Sequence, residues 1–131
     1  MPRPPMTLGT VTAEPGTTAR GGIPVGTDMY GREREIPITV IHGASDGPVL
    51  WINGATHGDE PEGPFSIFLA LEKVDPTQLA GTVVAVPVMN VEAFAAGTRG
   101  DPIDTFSYDM NRIYPGKADG YPTERVAAAH W

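Results

Sequence analysis

In the segment Val49-Leu50-Trp51-Ile52-Asn53-Gly54-Ala55-Thr56-His57-Gly58-Asp59-Glu60-Pro61 an apolar run meets a polar, glycine-rich turn. The run Val49 to Asn53 predicts a buried strand. Gly54, Gly58 and Gly63 permit sharp turning and close backbone approach, and Pro61 suits the first turn of a following helix. Strand, polar turn and helix is the order in which open α/β sheets place ligands, at the carboxyl ends of their strands. His57 and Glu60, three residues apart on that turn, bring an imidazole nitrogen and a carboxylate oxygen within reach of one zinc ion. The same cluster also reads as a helix cap or a plain turn.

Working outward, Ile36 to His42 reads as a clear strand, and Thr7 to Glu14 and Ile23 to Val25 as short edge strands. The linker Gly43-Ala44-Ser45-Asp46-Gly47-Pro48 is rich in turn formers and short enough to join antiparallel neighbours. Pro61 to Val74 predicts a helix whose apolar face, Phe65, Phe68, Leu69 and Leu71 to Val74, covers the sheet. Thr82 to Met89 reads as an interior strand ending at Asn90, and Val91 to Ala96 as a short helix. The fold class expected is therefore α/β, a mixed β-sheet with flanking helices.

Residues 97 to 122 form one long irregular segment, of a length that is usually functional or disordered. Its Phe106, Tyr108, Ile113 and Tyr114 are expected to pack it beside the His57 turn. It carries Arg99 and the cluster Asp109-Met110-Asn111-Arg112. A planar guanidinium next to a carboxamide suits recognition of a carboxylate. The plainer reading of Arg112 is a surface salt bridge with Asp104, Asp109 or Asp119. Asp59 is expected to orient His57 or cap the helix, and His42 to be a partly buried structural residue. A last helix is predicted to begin near Thr123 and to be still running at Trp131.

With 9 Lys and Arg against 16 Asp and Glu, the formal charge of −7 argues against nucleic acid as a partner. Sixteen glycines and fourteen prolines among 131 residues imply many short connections. With no cysteine, any metal donors must be His or carboxylate groups. Neither a signal-peptide core nor a membrane-length apolar run is present in the sequence, so a cytoplasmic setting is the default expectation.

The segments Asn53 to Glu60, Thr98-Arg99 and Asp109 to Gly116, in that order, resemble the succinylglutamate desuccinylase and aspartoacylase family of zinc carboxypeptidase-like hydrolases. The resemblance runs from about Gly26 to the final residue. It implies a zinc carboxypeptidase-like (phosphorylase/hydrolase-like) fold and a Zn²⁺ cofactor. His57 and Glu60 match the first two zinc ligands, Arg99 the arginine that polarises the scissile carbonyl, and Asn111 with Arg112 the pair that grips the substrate carboxylate. The family's third zinc ligand, a histidine in an Asp-Leu-His-type segment, and its catalytic glutamate are expected beyond Trp131. His130 is a weaker alternative ligand, since it falls in a helix before that strand.

The expectation is thus a chain spanning residues 1–131 as the amino-terminal part of one catalytic domain, with residues 1–22 as an irregular or edge-strand lead-in. The resemblance implies a zinc-dependent hydrolase that removes an acyl group from an N-acyl amino acid or a similar small carboxylate, with this stretch alone incomplete and inactive. Peptidase or ester substrates are alternatives within the family. A non-catalytic metal- or carboxylate-binding α/β domain and a purely structural one are the rivals outside it. The sequence leaves the oligomeric state open.

Overall fold

Val83 to Val86 are at most 9% exposed and lie on one of the two interior strands of the main sheet. A computed structural model describes residues 3–105 and 108–131; Phe106 lies outside the described residues. A small hairpin, β1 (Met6–Leu8) with β2 (Val11–Ala13), precedes four longer strands, β3 (Thr17–Thr27), β4 (Glu33–His42), β5 (Ser45–Asn53) and β6 (Ala80–Val86). The four form one mixed sheet of order β3-β4-β6-β5, in which β6 is antiparallel to β4 and parallel to β5. The mixed α/β class and the interior place of β6 follow the sequence expectation.

Two expectations about neighbours do not hold. The strands flanking the linker at Gly43 are not paired with each other, because β6 lies between them. The most continuously apolar strand takes the position flanked on both sides, where its Val-rich run loses the most water contact. In consequence β5 is an edge of the described sheet and is not a buried strand: Val49 is 60% and Leu50 55% exposed. The predicted short strand Ile23 to Val25 is the far part of the eleven-residue β3, which pairs with β4 along its length.

Helix α1 (Glu62–Leu71) forms where expected but with another face inward. Pro64 and Ile67 are its buried residues, while Phe65, Phe68 and Leu69 are more than half exposed. Nearly every residue of this helix is apolar, so hydropathy alone does not select a stripe. The choice is made by close contact at its start, where a Cβ on Gly63 would lie 3.1 Å from the Gly54 Cα. Seated there against the end of β5, the helix can turn only the row of Pro64 and Ile67 toward the sheet.

Helix α2 (Val91–Ala96) matches its predicted span, with Asn90 as N-cap accepting from the Ala93 N–H at 3.3 Å. Helix α3 (Pro122–His130) opens with a proline in its first turn, and Glu124 accepts the Tyr121 N–H at 3.0 Å. Its Val126 and Ala127 pack with Ile36, Ile38 and Val40 of β4 and with Val86, Met89 and Met110. Burying a side chain such as Val126 contributes roughly 1.5 to 3 kcal/mol. This packing ties the loop before α3 to the same sheet that presents the His57 turn. Among the described residues no helix is long and apolar enough to cross a membrane.

Candidate metal centre and its facing loop

The turn that follows β5 is held by backbone bonds to the end of β6. The Gly54 N–H donates to the Val86 carbonyl at 3.0 Å, and the Met89 and Asn90 N–H groups donate to Gly54 and Ala55 at 2.9 and 3.0 Å. Gly58 presses on α2 so closely that a Cβ there would collide with the Ala93 carbonyl; only glycine lets the turn lie this deep. The Gly58 N–H in turn donates to the Arg99 carbonyl at 3.3 Å. These contacts bury His57 to 6% exposure while Glu60 stays at the surface.

Both ring nitrogens of His57 face carboxylates. Nε2 lies 2.8 Å from Asp109 Oδ1 and Nδ1 lies 3.1 Å from Glu60 Oε1. The bond to His57 first, then those from the Asn111 N–H and the Arg99 guanidinium, hold the Asp109 carboxyl down at about 2. Asp109 is therefore an acceptor only, and it assigns the ring proton to Nε2. Nδ1 faces Glu60 Oε1 at 3.1 Å, a contact that either a proton on Nδ1 or a cation between the two atoms satisfies. Zinc bonds of 2.0–2.2 Å at a tetrahedral angle set two donors roughly 3.3 Å apart, so this pair fits a zinc ion.

Arg99 closes the cluster from the loop side. Its Nε and Nη2 donate to Asp109 Oδ2 at 3.2 and 3.0 Å, and its Nη1 lies 3.6 Å from Glu60 Oε1. Arg99 and Asp109 of the segment between α2 and α3 thus meet the turn, while Phe106, one of the aromatics expected to pack it there, lies outside the described residues. Asn111 is joined through its backbone N–H, which donates to Asp109 Oδ1 at 2.9 Å at the start of a single 3-10 turn over Met110–Arg112.

The Arg112 guanidinium stands apart. It is exposed, donates to the Asn111 carbonyl at 3.0 Å, and has no carboxylate partner among the described residues. The candidate partners Asp104 and Asp109 are engaged elsewhere, Asp104 with the Thr123 N–H and hydroxyl at 2.8 and 2.6 Å and Asp109 with His57 and Arg99.

The carboxylate that orients His57 is thus Asp109, not Asp59, which is exposed and caps nothing: α1 has no side-chain cap. One signal for Asp109 was present in the sequence, since a ligating histidine needs an acceptor for its second N–H. An acid two residues before the Asn111-Arg112 pair was available. Among the described residues no three His, Cys, Asp or Glu side chains are arranged around one metal position. His130 packs instead between Trp51 and Tyr114, with ring centroids 5.6 Å from each, and burial lowers its pKa. His42 is a buried structural residue, Nδ1 at 2.9 Å from the Thr82 hydroxyl and Nε2 at 3.0 Å from the Pro4 carbonyl.

A mixed sheet with a His and Glu turn at a strand's carboxyl end, faced by a loop of arginine and aspartate, belongs to the zinc carboxypeptidase-like class of α/β folds. The profile described as succinylglutamate desuccinylase/aspartoacylase catalytic domain matches residues 46–130, and the chain belongs to that family. It is 37% identical over 92 residues to the N-alpha-acetyl-L-2,4-diaminobutyric acid deacetylase of Halomonas elongata, a match covering 70% of this chain and 26% of that protein. Its fold superposes on the product-bound ectoine utilization protein EutE (DoeB) from Ruegeria pomeroyi with a TM-score of 0.77 at 30% identity, over 97% of this chain and 38% of that one. A succinylglutamate desuccinylase from a Silicibacter species gives 0.75 at 30% identity, over 95% and 37%. The chain therefore spans about a quarter of the matched deacetylase and under two-fifths of these two structures.

Proposed function

We propose that these residues form the amino-terminal part of the catalytic domain of a zinc-dependent deacylase acting on N-acyl amino acids or similar small carboxylates. The observation that carries the proposal is the convergence of His57 Nδ1 and Glu60 Oε1 at 3.1 Å beneath Arg99. Family membership and the deacetylase relative support the same reaction class. A cytoplasmic setting and a small-molecule carboxylate partner belong to the same proposal.

His57 and Glu60 would hold the metal, with a third donor from outside the described residues. Bound there, zinc supplies Lewis acidity that makes water a nucleophile near neutral pH. Asp109 keeps the Nε2 proton in place, so Nδ1 stays a lone-pair donor and the ring cannot rotate. Arg99 presents its guanidinium to the oxygen on which negative charge develops when the acyl carbonyl is attacked. Its hydrogen bonds to Asp109 and its ion pair with Glu60 hold it at that place until substrate arrives. Arg112 offers two parallel N–H donors to the substrate carboxylate, and Asn111 adds a further polar contact.

The test is metal analysis of the full-length protein together with hydrolysis of a panel of N-acetyl and N-succinyl amino acids. Near-stoichiometric zinc and turnover of at least one member are expected. Zinc without turnover on any member would favour a binding module instead.

A further inference from the structure

Alternate residues of a strand share a face, and the row of β4 that faces the core is Arg34, Ile36, Ile38 and Val40. The three aliphatic members are at most 2% exposed; the fourth is an arginine whose side chain is 12% exposed. A charge in an inward row needs a counter-charge. Arg34 Nη2 finds it in Asp101 Oδ2 at 2.8 Å, on a side chain only 2% exposed. A bulge leaves Val25 of β3 unpaired directly beside Arg34, and bulges re-aim the side chains next to them. Two cavities of about 250 and 430 Å³ share Arg34 as a wall, so packing leaves the guanidinium room, and Asp101, with Glu92 Oε1 at 3.8 Å from Nε, sets its direction.

Asp101 is the centre of the turn that follows Arg99. Its Oδ1 accepts the Ile103 N–H at 3.0 Å, and its carbonyl accepts the Asp104 and Thr105 N–H groups at 3.1 and 2.8 Å. On the other side, the Arg99 carbonyl receives the Gly58 N–H at 3.3 Å. The backbone of Arg99 is thus clamped between the His57 turn and a turn anchored by Arg34.

We propose that Arg34 is a positioning residue that aims Arg99 through its buried ion pair with Asp101. This rests on the role given to Arg99 above. Without the pair, the Asp101 carboxylate is left buried and uncompensated, and the turn opens to hydrate it. Arg99 then loses its aim, while the zinc donors on the β5 side stay in place.

A double-mutant cycle in the full-length protein tests this, with kcat, KM, zinc content and residue-resolved amide exchange measured for Arg34→Met, Arg99→Ala and the pair. Arg34→Met should lower kcat roughly 10- to 100-fold, the scale of about a 1 Å misplacement, with KM and zinc content unchanged. Amide exchange should rise at Ile103, Asp104 and Thr105, whose N–H groups donate to Asp101, and not in the middle of β4. In the Arg99→Ala background the Arg34 change should cost nothing further. Should Arg34→Met fail to fold, Arg34→Gln carries the same cycle, since it too leaves the Asp101 carboxylate without its counter-charge. Effects that multiply across the two backgrounds, or a loss that tracks melting temperature or zinc, would overturn the inference alone. An Arg99→Ala enzyme with full kcat would overturn the proposed role of Arg99 and this inference with it.

Discussion

Replacing Asp109 by alanine removes an acceptor on which four hydrogen bonds converge. They come from His57 Nε2 at 2.8 Å, Arg99 Nε and Nη2 at 3.2 and 3.0 Å, and the Asn111 N–H at 2.9 Å. Only the first bears directly on metal affinity. Freed of it, the buried imidazole can exchange its tautomer and rotate, and Nδ1 becomes a weaker donor. Loss of such a partner weakens metal binding by about 10- to 100-fold, which corresponds to roughly 1.4 to 2.7 kcal/mol at 1.36 kcal/mol per tenfold. Asp109→Asn keeps a carbonyl oxygen for the Nε2 proton and should fall at or below about tenfold. The assay is a zinc competition titration of the full-length protein against a fluorescent chelator. Wild-type affinity in Asp109→Ala would refute the reasoning, because the partner of Nε2 among the described residues would then be dispensable.

Arg112→Lys keeps the charge and loses the two-pronged donor, so carboxylate substrates should lose about 1.5 to 3 kcal/mol in kcat/KM. Their neutral amide analogues should be spared, and equal loss on both would make Arg112 structural. Burial holds the His130 pKa below its ordinary value, so the folded state resists protonation. Its contribution to stability is complete above the unfolded value near 6.5 and declines as pH falls below it. His130→Phe should therefore flatten the melting-temperature profile on the acid side of about pH 6.5, and an unchanged profile would contradict this. The isolated 131-residue chain exposes Val49 and Leu50 on the β5 edge, with Phe65, Phe68 and Leu69 on α1. It should self-associate in light scattering and do so less as Leu50→Lys; a monodisperse wild-type chain would oppose this.

The elements whose character is written in short-range pattern were legible in advance. Val91 to Ala96 carries its own cap in Asn90, and the Val-rich run of β6 announces an interior strand. The His57 turn was visible as glycines and polar residues following an apolar run. What local pattern does not contain is how elements choose partners. Nothing between His42 and Ser45 tells that β6, nearly forty residues later, will separate the two strands. The inward face of α1 was illegible because the helix is apolar all round and a glycine contact selects its rotation. Asp109 and Asp59 were equally acidic neighbours of candidate site residues, and only the path of the loop brings Asp109 to the ring. Arg34 was unremarkable among the charges of its segment until the strand's alternation placed it in the inward row.

Zinc content of the full-length protein, measured for the wild type, His57→Ala and Glu60→Ala, bears most directly on the claim that this turn is a metal centre. Each substitution removes one of the few protein donors a catalytic zinc site has. Wild-type protein should carry about one zinc per chain, and both variants should lose it after dialysis while keeping a cooperative melt. Full zinc occupancy in both variants would contradict the account and move the metal away from this turn.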